Sequence, residues 1–117
     1  MSQEREMQVV VLWEQIVHEM LDITSRFPKF IRPVVSNRLL NYCFDVLDQL
    51  VSAQYSSKSK QGEFLQQVNL HLTKIRFLLR ISCQEQWLSE GRLIALNEKI
   101  DQVGKGIYGW QKSISVV

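Results

Sequence analysis

The chain has 117 residues, the size of one ordinary domain, and 45% of them are hydrophobic, which argues against extensive disorder and against a second independent core. A formal charge of +2 is weaker than that of most DNA- and RNA-binding domains. Two cysteines cannot build a disulfide framework, and no apolar run approaches the roughly 18 residues that span a bilayer. With no recognisable signal peptide, the sequence predicts a single soluble, cytoplasmic domain over residues 1–117.

The first predicted element is an amphipathic helix over about residues 6–24, since its apolar residues share one half of a helical wheel. That half consists of Val9, Val10, Leu12, Trp13, Ile16, Val17, Met20, Leu21 and Ile23. His18 lies on the polar half, four residues from both Glu14 and Asp22, which only weakly imitates a set of metal ligands. We interpret it as a solvated residue and predict no metal site.

A short basic segment, RFPKFIRP, follows at residues 26–33 and contains both prolines of the chain. The basic residues here and at the start of the next helix are Arg26, Lys29, Arg32 and Arg38. We predict that Phe27 and Phe30 close the end of a helix bundle while the charges remain in water. The alternative is that the segment forms an edge that contacts phosphates, a task to which arginine and lysine are well suited.

A second amphipathic helix is predicted over about residues 34–56. Its apolar face comprises Val35, Leu39, Leu40, Cys43, Phe44, Val46, Leu47, Leu50, Val51 and Ala53. The polar stretch SSKSKQG, residues 56–62, then predicts a flexible connection in which Lys58 and Lys60 are solvated.

The third predicted helix, over about residues 63–86, differs from the others because it has two apolar stripes. The first stripe consists of Leu65, Val68, Leu72, Ile75 and Leu79. The second stripe, on nearly the opposite side, consists of Leu70, Phe77, Leu78 and Ile81. A helix that is apolar on two sides is usually buried on both, so we predict that the second stripe is an interface with another subunit.

Arg76 and Arg80 lie on a polar strip between these two stripes, within the hydrophobic run KIRFLLRIS. Two interpretations remain open. Either the arginines pair with an acid on another helix or subunit, or they form a basic strip that binds nucleic acid or an acidic protein. The spacing favours pairing, for which the candidate acids are Asp45, Asp48, Glu98 and Asp101.

The fourth predicted helix begins at Ser89, a favourable N-cap residue, and Glu90 in its first turn suits the helix dipole. Its narrow apolar seam consists of Leu93, Leu96, Ile100, Val103, Ile107 and Trp110. Gly104, Gly106 and Gly109 indicate either a close approach by another element or fraying of the helix end.

Four amphipathic helices with short connections predict an all-α, antiparallel up-down-up-down four-helix bundle. The sequence has no glycine-rich phosphate loop and no GxSxG or CxxC motif, so we predict neither an enzyme nor a cofactor. The functional candidates that remain are the basic residues. Among them, Lys105 and Lys112 share a face of the fourth helix, where they either support the helix dipole or extend a binding surface.

Most of the chain, from about residue 13 to residue 113, resembles a known family. NLHLTKIRFLLRIS and, about one helical turn later, WLSEGRLIALNEKIDQVGKGIYGWQKS are similar to the accessory variability determinant (Avd) proteins of diversity-generating retroelements. The shared pattern is an apolar third helix, here Ile75 to Ile81, and a fourth helix ending in G-x-x-x-x-GW, here Gly104, Gly109 and Trp110. RFPK before the second helix also fits.

The resemblance implies a four-helix bundle that forms a ring-like homopentamer with a positively charged surface. It implies a non-catalytic protein that binds a reverse transcriptase and its template RNA and supports mutagenic cDNA synthesis. On this hypothesis we predict that the contacts are Arg76 and Arg80, supported by Arg26, Lys29, Arg32, Arg38, Lys105 and Lys112. The chain departs from the pattern in being only mildly basic and in ending with the apolar SISVV.

A related family has the same helical pattern and supplies the alternative function. Its members are four-helix-bundle proteins encoded in intervening sequences of bacterial large-subunit rRNA genes. In that case the chain is a structural or RNA-associated oligomer without a retroelement role, and its arginines bridge subunits.

Overall fold

The computed structural model describes residues 2–115, with side chains from residue 4 onward. Within that range the chain forms four α-helices and no strand, which confirms the predicted all-α four-helix arrangement. The helices are α1 (Ser2–Ser25), α2 (Asn37–Gln54), α3 (Lys58–Gln84) and α4 (Glu90–Ser115). A single π-helical turn, Arg32–Ser36, leads directly into α2. None of the described helices is long and apolar enough to cross a membrane.

Each helix packs against the helices before and after it in the chain, and α4 closes the bundle by packing against α1. Between two neighbouring helices, residues near the start of one helix contact residues near the end of the other. Arg5 reaches the carbonyl oxygen of Gly109, for example, whereas Glu19 pairs with Lys99, so α1 and α4 are antiparallel. The other three neighbouring pairs show the same reversal.

The buried hydrophobic side chains of all four helices form one cluster along the bundle axis. The first stripe of α3 lies entirely within this cluster. Trp13 of α1 is also buried in it and donates its indole N–H to the carbonyl oxygen of Cys43 on α2, 2.8 Å away. Three residues assigned to apolar faces are instead more than 40% exposed: Leu21, Phe44 and Val51. Only the stripe of each helix that points at the bundle axis is covered, and the predicted apolar faces were wider than that stripe.

The third helix begins at Lys58, so the predicted flexible connection over residues 56–62 is wrong from that residue onward, although Lys58 and Lys60 are exposed as predicted. Ser57 has extended backbone and its carbonyl oxygen accepts the amides of Lys60 and Gln61, which starts the helix. Gln61 is buried, and its side-chain amide donates to the carbonyl oxygen of Ala53 at 2.9 Å. This bond satisfies a carbonyl group at the C-terminus of α2 and fixes the first turn of α3 against it.

The connection between α1 and α2 confirms the prediction for Phe27 and contradicts it for Phe30. Phe27 is fully buried and its ring lies 5.9 Å from that of Trp87, so it closes this end of the bundle. Phe30 is 77% exposed. Below the turn, the Ser36 hydroxyl donates a buried hydrogen bond of 2.9 Å to the carbonyl oxygen of Thr24, which joins the end of α1 to the start of α2.

The fourth helix begins as predicted, because the Ser89 hydroxyl accepts the amide of Arg92 at 3.2 Å. It continues to Ser115, beyond all three glycines, so the glycines do not mark a frayed end. Gly106 is instead explained by the close approach of α1, because a Cβ atom added at this position would lie 2.6 Å from Cγ2 of Val9.

Candidate nucleic-acid and protein interfaces

The predicted basic residues lie in two separate groups. One group, which we call the end cluster, surrounds the connection between α1 and α2 and consists of Arg26, Lys29, Arg32 and Arg38. The other, which we call the side cluster, lies on α3 and α4 and consists of Arg76, Arg80, Lys105 and Lys112. The end cluster is continuous along the chain, whereas the side cluster forms only because α4 packs against α3.

In the side cluster, Arg76 forms an ion pair with Asp101 across α3 and α4. Its Nη2 atom lies 2.8 Å from the Asp101 carboxylate, and its side chain is 38% exposed. Asp101 was one of the four candidate acids, so for Arg76 the interhelical pairing is confirmed. Asp45, another candidate, instead faces the imidazole of His71 at 3.5 Å.

Arg80 is exposed and has no acidic partner among the described side chains. Its guanidinium lies 4.9 Å from the centre of the Phe77 ring, a cation–π contact. Lys112 similarly lies 5.7 Å from the ring of Tyr108 on α4. These contacts hold the cations over exposed aromatic rings and leave their charge available for an anion.

A shallow groove of about 360 Å³ runs between α3 and α4 within the side cluster. Its lining residues are Thr73, Arg76, Phe77, Arg80, Leu93 and Asn97. The side-chain oxygen of Asn97 is buried and has no hydrogen-bond partner in the described part of the chain. The groove therefore combines an apolar floor, two cations and a free polar group.

In the end cluster, the positive charge of Arg26 is partly neutralised by an ion pair with Asp22. Asp22 accepts hydrogen bonds from Arg26 at 3.2 Å and from Arg92 at 3.4 Å. Desolvation alone would raise the pKa of Asp22, but the two guanidinium groups outweigh it and lower that pKa. Lys29 and Arg38 are exposed, with no acidic partner among the described side chains.

The second apolar stripe of α3 is mostly accessible in the isolated chain. Leu70, Phe77 and Ile81 are 46–54% exposed, and Leu78 is half-buried. Two neighbours on α4 extend this surface, Ile94 at 59% and Tyr108 at 63% exposure. Sequence reasoning missed both because they lie off the core-facing seam of α4, although a hydrophobic residue off such a seam is itself a detectable signal.

His71 and Cys43, whose residue types often act in catalysis, are buried in the described structure. No three His, Cys, Asp or Glu side chains within residues 4–115 lie close enough together to hold a metal ion. His71, which the sequence did not single out, is buried between Asp45 and the carbonyl oxygen of Gln67, 3.0 Å from its Nδ1 atom. Burial raises the pKa of the Cys43 thiol to about 12, so the thiolate does not form near neutral pH.

Comparison with known proteins identifies the family of this bundle. The family model described as bAvd-like matches residues 5–114, which includes all four helices and both basic clusters. No curated protein sequence matches the chain significantly. The suspected resemblance to the Avd proteins is thereby confirmed: the chain belongs to the bAvd-like family.

Proposed function

We propose that the protein is a non-catalytic accessory factor of a diversity-generating retroelement, which binds the reverse transcriptase and its template RNA during mutagenic cDNA synthesis. The observation that carries this proposal is the bAvd-like match over residues 5–114. The two basic clusters supply a surface of suitable chemistry, because phosphate groups of RNA are bound chiefly by arginine and lysine.

Within the side cluster, Arg80 is the principal contact that we propose for RNA or polymerase. It is exposed and has no acidic partner among the side chains of residues 4–115, whereas the charge of Arg76 is balanced by Asp101. Lys105 and Lys112 on α4 extend the same surface. The end cluster offers a second contact region at the end of the bundle that contains the connection between α1 and α2.

The proposed assembly is a ring-like homopentamer. One side of the bundle, formed by α1 and α2, differs from the opposite side, formed by α3 and α4, as the subunits of such a ring require. α1 and α2 carry seven acidic and two basic residues, whereas α3 and α4 carry four acidic and nine basic residues. Both sides also have exposed apolar side chains, including Met7, Leu21, Phe44 and Val51 on one side and Leu70, Phe77, Ile81, Ile94 and Tyr108 on the other. Two different surfaces of this kind favour head-to-tail packing, which forms a ring when the rotation between subunits closes it. In the proposed ring the exposed apolar side chains make the contact, and the polar strip with Arg76 and Arg80 stays outside it.

The test compares two double variants that remove the same charge. Arg76→Ala with Arg80→Ala alters the side cluster, and the control, Lys58→Ala with Lys60→Ala, alters exposed lysines at the start of α3. RNA binding is measured as a function of salt concentration, and oligomer mass by light scattering. We expect the side-cluster variant to bind RNA more weakly, with a shallower salt dependence and an unchanged mass, and the control to match the wild type.

The two other outcomes have definite meanings. Unchanged RNA and polymerase binding by the side-cluster variant would contradict the assignment of Arg76 and Arg80. Loss of the oligomer in that variant alone would show that these arginines bridge subunits, as in the rRNA intervening-sequence alternative.

A further inference from the structure

The exposed ring of Phe30 is held in place by an ordered turn. The amides of Ile31 and Arg32 both donate to the carbonyl oxygen of Pro28, at 2.9 and 3.2 Å, and the amide of Val35 donates to Ile31 at 2.7 Å. Phe27 before it is fully buried, and Ile31 after it packs against the core. The backbone on both sides is therefore fixed, and the Phe30 ring projects where it is 77% exposed.

The chain segment that carries this ring has charge of one sign. No Asp or Glu occurs between Asp22 and Asp45, and this interval contains all four cations of the end cluster. Lys29 is adjacent to Phe30 in sequence and exposed. Arg32 donates its Nε–H to the carbonyl oxygen of Phe27 at 2.9 Å, which holds its guanidinium beside the turn. A single exposed phenylalanine is ordinary, but an ordered one among cations has a specific use.

We propose that Phe30 is a stacking platform for an unpaired base of single-stranded RNA, with Lys29, Arg32 and Arg38 contacting the phosphates on either side. The inference rests on the proposed function and adds the form of the RNA and the residue that recognises it. Single-stranded nucleic acid is bound in this manner: bases stack on aromatic rings while a positively charged surface follows the backbone. A base-paired duplex keeps its bases stacked on one another, so it does not use the ring.

RNA fits this surface better than a membrane or a protein partner does. Beside Phe30, the exposed apolar residues of the turn are Pro33 and Val34 alone, a small area for insertion into a bilayer or for the core of a protein interface. One exposed ring, with cations before and after it in an ordered segment, instead suits a single nucleotide, in which one base lies between two phosphates.

The test uses the full chain and four variants: Phe30→Ala, Phe30→Trp, Lys29→Ala and, as a control, Tyr55→Ala. Tyr55 is 87% exposed and lies at the other end of α2, so its removal deletes an equally accessible ring away from the cluster. Fluorescence anisotropy measures the binding of a labelled 12-nucleotide single-stranded RNA and of the same sequence as a duplex. Thermal unfolding followed by circular dichroism confirms that each variant is folded.

We expect Phe30→Ala to weaken single-stranded RNA binding about tenfold, with Phe30→Trp and Tyr55→Ala close to the wild type. Its salt dependence should be unchanged, because no phosphate contact is lost, whereas Lys29→Ala should reduce the slope by about one. Duplex binding should change little in Phe30→Ala.

Three results would overturn the proposal. Equal binding of single-stranded RNA by Phe30→Ala and the wild type would remove the stacking role and leave the proposed function intact. Equal losses for single-stranded RNA and duplex would show that the ring has only a general effect. Absence of RNA binding by the wild type would refute the RNA part of the proposed function as well, and Phe30-dependent binding to phosphatidylserine vesicles would then identify a lipid surface instead.

Discussion

Replacement of Gly106 by alanine tests the closest contact between α1 and α4. A Cβ atom at this position would lie 2.6 Å from Cγ2 of Val9, well inside the van der Waals distance. Val9 is 4% exposed and sits in a helix, where a β-branched side chain has essentially one available rotamer. The methyl group therefore cannot rotate away, and either the helices separate or the valine is strained.

Two opposing effects determine the magnitude. Overpacking of a core typically costs about 1–3 kcal/mol. Alanine also gains about 1 kcal/mol over glycine in a helix interior. We therefore expect Gly106→Ala to lower the free energy of unfolding by about 0–2 kcal/mol. With Val9→Ala already present, the clashing methyl group is gone, and Gly106→Ala should instead stabilise the protein by up to about 1 kcal/mol.

The assay is urea denaturation of the wild type, both single variants and the double variant, followed by circular dichroism at one protein concentration. The account predicts that the effect of Gly106→Ala differs between the two backgrounds by about 1–3 kcal/mol. Gly91→Ala is the control, because a Cβ atom there has no neighbour within 4 Å. An identical effect of Gly106→Ala in both backgrounds would refute the close approach as the reason for the glycine.

Three further predictions concern single groups. Because burial raises the pKa of the Cys43 thiol to about 12, the folded protein should react with a thiol reagent at pH 8 only at Cys83, and at both cysteines once it is denatured. Burial also raises the pKa of Glu6 above its ordinary value of 4.5, so ionisation of this carboxyl group destabilises the folded state as the pH rises. Glu6→Gln should therefore raise the melting temperature at pH 7 and have little effect below pH 4.5. Ser89→Ala should reduce stability by about 1 kcal/mol through loss of the N-cap, measured by denaturation, whereas Ser89→Asp should preserve it.

Much of the fold follows from helical periodicity. The first stripe of α3 and the seam of α4 are buried almost as predicted, since burial along one side of a helix repeats every three or four residues. The start of α3 could not be predicted in this way. It depends on a buried hydrogen bond between Gln61 and Ala53, and a polar residue in a Ser- and Lys-rich segment gives no local sign of such a partner.

The candidate site was less predictable than the fold. The basic residues were identified from the sequence, in which residues 26–38 already form one group. The structure was needed to show that α4, with Lys105 and Lys112, packs against the arginines of α3. Four acids were candidates for pairing with the arginines of α3. Which of them Arg76 meets depends on how α3 and α4 are rotated about their axes, and in the structure it is Asp101. Phe27 and Phe30 have the same side chain and lie three residues apart, yet Phe27 is buried against Trp87 and Phe30 is exposed, a difference that depends on the path of the turn.

The account's central claim is that the protein is a partner of a retroelement reverse transcriptase. The most direct measurement is affinity capture of the tagged chain after co-expression with such a polymerase from the same genome, with and without its template RNA. The account predicts that the polymerase is retained at low salt and that an Arg76→Ala, Arg80→Ala variant retains less of it. Absence of the soluble polymerase from the captured wild-type protein, with RNA present as well as without it, would contradict the claim.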